Sequence, residues 1–260
     1  YNVIKSKNHT SFYSLIDAMY FAIPFLHICI SAMPDIIKVG RFTIDRDQFI
    51  GGGSFGRVFL GEDETGQMVA AKEILVGDQD PEWKARVEGE AQAHRRLIPH
   101  PNLIRYIHSQ RKGPYMWIFF QYYPCGDLDS YCSRKTLTEA QKVDIMVQMT
   151  RGLQHLHNQQ PPIAHRDIKP GNLLVEEEGS KITIRLCDLG LAKMTEKPSK
   201  MTKTLDTRCG TLDFMAPELH DVDEEDQVNY TKKVDIFSSG IFFHSLMDTP
   251  GKSRIQTFKG

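Results

Sequence analysis

His165-Arg166-Asp167-Ile168-Lys169-Pro170-Gly171-Asn172 is the stretch on which the reading of this chain turns. A long helical pattern runs up to it. A short alternating strand pattern, Ile182, Ile184 and Leu186, follows and stops at Asp188-Leu189-Gly190. Ala216-Pro217-Glu218 stands further on, and a G-x-G-x-x-G run lies upstream in Ile50-Gly51-Gly52-Gly53-Ser54-Phe55-Gly56-Arg57-Val58. Any one of these stretches is chance-level alone. All of them together, in this order, are not.

The glycine run has two readings. In a dinucleotide-binding fold the glycine turn must open a helix, whose N-terminus holds a pyrophosphate. Here Val58-Phe59-Leu60-Gly61 reads as a strand. A strand-glycine-strand flap instead lets backbone N–H groups approach a phosphate chain with no side chain in the way. Glu64-Thr65-Gly66 then reads as a hairpin turn leading to the strand Met68 to Ile74, which carries Lys72. A cation placed there needs an acid to hold it. Glu90 is the best candidate, and Glu88 sits on a different helix face. Their helix starts cleanly, with Asp80 as N-cap, Pro81 at the first position and Glu82 in the first turn, and runs to about Leu97. Trp117 to Tyr123 reads as a strand. Thr138-Glu139-Ala140-Gln141 matches a capping box. Behind it Val143, Met146, Met149/Thr150, Leu153 and Leu156 recur at helical spacing, which predicts a long helix with that face in the core. Ile236 to Leu246 reads as a buried helix.

Taken together these motifs resemble those of eukaryotic protein kinases, over about Arg41 to Leu246. The resemblance implies an α+β, two-lobed protein-kinase-like fold. It would have a small β-rich N-lobe (about 41–123) and a mainly helical C-lobe (about 124–260) lacking its last helices. It implies ATP and Mg²⁺ as cofactors and protein serine/threonine hydroxyls as substrates. Lys72 would contact the phosphates, braced by Glu90. Asp188 and Asn172 would hold metal ions, Asp167 would take or orient the hydroxyl proton, and Lys169 would touch the transferred phosphate. A lysine there, and Gly210-Thr211, are typical of serine/threonine kinases. The nucleotide would lie under Ile50, Gly51, Gly52, Gly53, Ser54, Phe55 and Gly56. Val58 and Ala70 would form its roof and Leu174 its floor. Gln121, Tyr122 and Tyr123 would be the hinge, Phe120 the gatekeeper, and Asp127 a ribose contact.

The resemblance also implies control by activation-loop phosphorylation. Arg166 beside Asp167 suits a phosphate partner, and Thr207 is the leading site, with Thr204 and Thr202 as others. Self-association for phosphorylation in trans fits such control. Two residues depart from the pattern. Leu189 replaces the usual phenylalanine. His94, one turn after Glu90, stands where an apolar residue is expected, which requires a buried neutral imidazole or a shifted register. Within the family, Val39-Gly40-Arg41-Phe42, His100 to Tyr106, Gly152 to His157 and Val234 to Ser238 resemble the unfolded-protein sensor that joins a kinase to an endoribonuclease.

Composition narrows the alternatives. The 260 residues are 40% hydrophobic and 25% charged, an ordinary globular balance. Lys plus Arg (32) nearly equals Asp plus Glu (33), so no global field favours nucleic acid as the main partner. Residues 1–40 form an extension with an apolar segment, Phe12 to Met33. Its cleanest run, Ala18 to Ile30, is shorter than the ~20 residues a spanning helix needs. The expected location is the cytoplasm, the alternative an ER membrane with a cytosolic kinase domain. Five scattered cysteines fit reduced thiols better than a zinc site. The short distance from the last apolar helix to Gly260 makes the chain a C-terminally truncated kinase in this reading. The rival function is a catalytically weak nucleotide-binding scaffold.

Overall fold

Alternating side chains drive the first half of the chain into a curled sheet. A computed structural model describes residues 34–53, 56–189, 193–194, 212–217 and 232–248. Six strands run in the order β1-β2-β3-β4-β6-β5: β1 (Ile36–Val39), β2 (Phe42–Gly53), β3 (Gly56–Glu62), β4 (Met68–Leu75), β5 (Tyr106–Lys112) and β6 (Tyr115–Gln121). Every pairing is antiparallel. The curl lets both faces be buried. Phe42, Ile44, Phe59, Val69, Ala71, Trp117 and Phe119 pack on one side. Ile74, Val76, Met116, Ile118 and Phe120 pack on the other, against Val87 and Ala91 of helix α1 (Pro81–Arg96).

The glycine run is a hairpin, as the strand reading requires. Gly51 pairs with Val58, Gly52 with Arg57 and Gly53 with Gly56, and no helix follows. Gly56 has φ +134°, and a Cβ there would stand 2.4 Å from the Glu73 carbonyl oxygen, so only glycine lets β3 approach β4 this closely.

The second half is built on helices. These are α2 (Leu128–Cys132), α3 (Glu139–His157) and α4 (Lys233–Met247), with a hairpin of β8 (Leu173–Glu178) and β9 (Lys181–Leu186). The two-residue strand β7 (Ile163–Ala164) pairs with β10 (Lys193–Met194). Thr138 and Gln141 close the expected capping box on α3. The buried face of α3 is turned from the expected one. Val143 is 50% exposed, while Lys142, Ile145, Gln148, Met149, Gly152, Leu153, Leu156 and His157 point inward. Apolar spacing misses this face because three of its inward positions, Lys142, Gln148 and His157, are polar and bonded. Lys142 pairs with Glu139 at 2.8 Å, and Gln148 is bonded on all sides. Helix α4 is likewise only half buried among the described residues, with Ile236 61% and Phe237 42% exposed. Phe242 and Leu246 join the lower core with Ile145, Met149, Leu153, Leu173 and Leu186.

Among the described residues the two regions meet through a connecting segment, along the edge of β9, and through Lys72 and Asp188. The connecting segment runs from Gln121 to Asp127, turning at Gly126 (φ +75°). The segment after α1 also lies on β9. Leu186 N donates to Asn102 O and Ile104 N donates to Leu186 O, both at 2.9 Å.

Candidate active site

The upper region supplies a held cation. Lys72 and Glu90 are both buried, and Nζ sits 2.7 Å from Glu90 Oε1 and 3.0 Å from Asp188 Oδ1. Burial alone would lower the Lys72 pKa. The charges and hydrogen bonds of Glu90 and Asp188 outweigh it and raise the pKa, so the ammonium is kept. Glu88 faces outward and pairs with Arg95 instead. Asp188 has φ +64°, a left-handed conformation rare for a side chain with a Cβ, and it closes the gap between the two regions.

The loop His165 to Asn172 supplies the facing groups. Asp167 Oδ2 accepts from Lys169 Nζ and from Asn172 Nδ2, each at 2.8 Å. Asn172 Nδ2 also bonds the Asp167 carbonyl, at 2.8 Å. These bonds fix one carboxylate oxygen and leave Oδ1 outside them. The loop itself hangs on Asp235, fully buried in the first turn of α4. Its carboxylate accepts from His165 N at 2.8 Å, Arg166 N at 2.6 Å and His157 Nε2 at 2.7 Å. Arg166 is thereby held at φ +68°. His165 Nε2 donates to Cys187 O at 2.9 Å, and Cys187 N donates to Asn172 O at 2.9 Å. Asp167, Asn172 and Asp188 are therefore locked to one frame.

The protein kinase domain model matches residues 44–254.

The chain belongs to the protein kinase family. It is 32% identical over 223 residues to mitogen-activated protein kinase kinase kinase 1b of Physcomitrium patens, covering 80% of this chain and 27% of that protein. It is 31% identical over 201 residues to serine/threonine-protein kinase CTR1 of Arabidopsis thaliana (76% and 23%). It is 31% identical over 216 residues to meiosis-specific serine/threonine-protein kinase mek1 of Schizosaccharomyces pombe (80% and 46%). The chain thus spans less than half the length of each of these relatives.

Other expected kinase positions fall as follows. Val58, Ala70 and Leu174 are half-buried, while their neighbours Phe59, Ala71, Leu173 and Val175 are buried. Ile50 is exposed, Gly51 half-buried and Gly52 exposed. Gln121 and Tyr122 are half-buried and Tyr123 is buried. Phe120 is buried edge-on to His94, ring centroids 4.8 Å apart. Asp127 caps α2, its carboxylate accepting from Ser130 N and Oγ, each at 2.9 Å. Leu189 is buried, so an aliphatic side chain meets the demand at the phenylalanine position. His94 keeps its register and is buried. Burial and, next, the Lys72 charge push its pKa down to about 3, which leaves the imidazole neutral. Ser54, Phe55, Thr202, Thr204, Thr207, Gly190, Glu218 and Phe12 to Met33 lie outside the described residues. Among the described residues no helix is long and apolar enough to cross a membrane.

Asp235 is the functional residue that sequence reading passed over. Its signal is an acid in the apolar run Val234–Leu246, because a buried carboxylate must be matched by donors.

Proposed function

We propose that this chain transfers the γ-phosphate of ATP to serine or threonine hydroxyls of proteins, with Mg²⁺. One observation carries the reading. A buried lysine is held between Glu90 and Asp188, while Asp167 is bonded to Asn172, whose carbonyl holds the N–H of Cys187 next to Asp188. Phosphoryl transfer asks a protein for positioning and compensating charge more than for covalent chemistry. Lys72 supplies a permanent cation for the phosphates. Asp167, oriented by Lys169 and Asn172, offers Oδ1 to the substrate hydroxyl and takes its proton. Lys169 then lies beside the hydroxyl that receives the phosphate. The half-buried Val58, Ala70 and Leu174 suit an adenine slot better than core positions do, with the hinge backbone beside it.

The donor set fits Mg²⁺. Among the described residues no group of three or more His, Cys, Asp or Glu side chains gathers as a metal cage. Mg²⁺ needs none, since it takes one or two protein oxygens and completes its shell from phosphates and water. Asp188 and the amide oxygen of Asn172 would hold it, and its charge would offset that of the phosphates.

The kinase unit runs from about residue 41, with phosphorylation at Thr207, Thr204 or Thr202 drawing on Arg166, and self-association serving that step in trans. The unfolded-protein-sensor subgroup, with an ER-anchored alternative to a cytoplasmic protein, rests on sequence stretches alone. Transfer of labelled phosphate from ATP to a protein substrate tests the activity. The expected result is transfer that falls by about 10²–10⁴-fold in Asp167→Asn and vanishes in Asp188→Asn. ATP binding with no transfer above the Asp188→Asn control refutes the enzyme and leaves a nucleotide-binding scaffold.

A further inference from the structure

Strand β9 ends two residues before Asp188, and among the described residues only one of its edges has a strand beside it. Its pairing with β8 matches Val175 to Ile184 and Leu173 to Leu186. The backbone groups of Ile182, Ile184 and Leu186 point away from β8, as their partners show. An unpaired strand edge leaves the register of the strand weakly fixed. Here two side-chain amides stand in for the missing strand. Gln148 of α3 donates from Nε2 to Ile182 O at 2.9 Å and accepts from Ile184 N at Oε1, also at 2.9 Å. Asn102, in the segment after α1, donates from Nδ2 to Ile184 O at 3.1 Å and to Gln148 Oε1 at 3.0 Å. Its own carbonyl takes Leu186 N at 2.9 Å, and Ile104 N completes the edge at Leu186 O.

Both amides are buried, Asn102 5% and Gln148 8% exposed. Asp144 Oδ2 orients Gln148 by accepting from its Nε2 at 2.7 Å. Packing leaves the pair little freedom. A Cβ on Gly152 would sit 2.7 Å from Asn102 O, so α3 touches this loop at van der Waals distance. The next links are covalent: Leu186, then Cys187, whose N–H holds Asn172 O, then Asp188.

The geometry points to Asn102 and Gln148 as positioning residues for the Asp188 carboxylate. They act through the edge of β9, and Asn102 couples the segment that follows α1 to the metal-holding position. The inference rests on the proposed role of Asp188. Groups that orient a metal ligand without touching the metal change metal affinity by about 10–100-fold when removed.

The test uses the full chain with Asn102→Ala, Gln148→Met, which keeps chain length without the amide, Asp188→Asn, and Leu153→Ala as a core variant that leaves the β9 edge intact. Two quantities are read. Hydrogen exchange follows the amides of Ile184, Leu186 and Cys187. Calorimetry gives the ratio of ATP affinities with and without Mg²⁺. In the unaltered chain Ile184 and Leu186 amides exchange as slowly as those of α3. Asn102→Ala and Gln148→Met speed exchange from Ile184 to Cys187 selectively and cut the Mg²⁺-linked gain in ATP affinity by about 10-fold. Leu153→Ala speeds exchange across the lower core and leaves that ratio unchanged. Fast exchange at Leu186 in the unaltered chain overturns the inference. So do amide variants whose exchange pattern and Mg²⁺ ratio match those of Leu153→Ala. An Asp188→Asn chain that keeps the Mg²⁺-linked gain, or an unaltered chain that shows none, removes the metal role of Asp188 itself. The exchange pattern then decides the structural half alone.

Discussion

Replacing His94 with leucine measures what an imidazole does in an apolar place. His94 is 3% exposed, its ring centroid lies 4.8 Å from that of Phe120 and 6.0 Å from that of Tyr106, and Nε2 has no hydrogen-bond partner among the described residues. Its pKa is pushed down to about 3 by burial and by the Lys72 charge, with Asp188 pulling weakly the other way. In the unfolded chain it titrates near 6.5. The folded state therefore binds fewer protons. The stability at stake is fully present above pH 6.5 and is lost as pH falls from there toward 3. At pH 5 the unfolded chain is about 1.5 pH units below that pKa while the folded imidazole is still neutral. At 1.36 kcal/mol per unit, folding loses about 2 kcal/mol through this one residue. His94→Leu removes the loss. It also removes a buried unsatisfied nitrogen, whose cost is about 1–3 kcal/mol at any pH. Urea unfolding of both proteins from pH 7.5 to pH 5 reads the difference, since other titrating groups cancel in the comparison. The expected result is a gap that widens by about 2 kcal/mol as pH falls. Parallel stability curves would refute the reasoning, because they would mean that His94 binds a proton equally well in both states.

Three further outcomes follow from the same geometry. Asp235→Asn replaces a carboxylate that takes two backbone N–H groups and His157, and should cost at least about 2 kcal/mol in urea unfolding. It should also speed exchange of the His165 and Arg166 amides. Ile145→Ala should cost about 2–5 kcal/mol while Val143→Ala stays within about 0.5 kcal/mol, a contrast that reports the turned face of α3. Glu90→Gln removes the charge that holds Lys72. Steady-state phosphate transfer should then show a fall in kcat/KM of tenfold or more, about 1.4 kcal/mol of transition-state stabilisation.

Local signals in the sequence were reliable where the cause is local. The Asp80 cap on α1, the Thr138–Gln141 box on α3 and the glycine hairpin all form as their residues dictate. So does the pairing of Lys72 with Glu90 instead of Glu88, because the choice follows from which helix face turns inward. The face of α3 was legible only in part. Val143 looks like a core residue by type and is exposed, while Gln148 looks like a surface residue and is buried. No pattern of apolar spacing can report that, because Gln148 goes inside for its hydrogen bonds and not for its hydrophobicity.

The sequence by itself determined which chemistry is on offer. It set a lysine on a strand after a glycine flap, an aspartate and an asparagine on one short loop, and an aspartate at a strand end. Their types and order are enough to bring out the kinase family. The tertiary structure decided how those groups are held. Asp235 reaches back from α4 to fix the loop, His165 ties it to Cys187, and Asn102 with Gln148 closes the open edge of β9. These partners lie far apart along the chain and act through backbone N–H and C=O groups. Every residue carries such groups, so the letters of a sequence do not mark which of them will need a side chain once the strands and helices have packed.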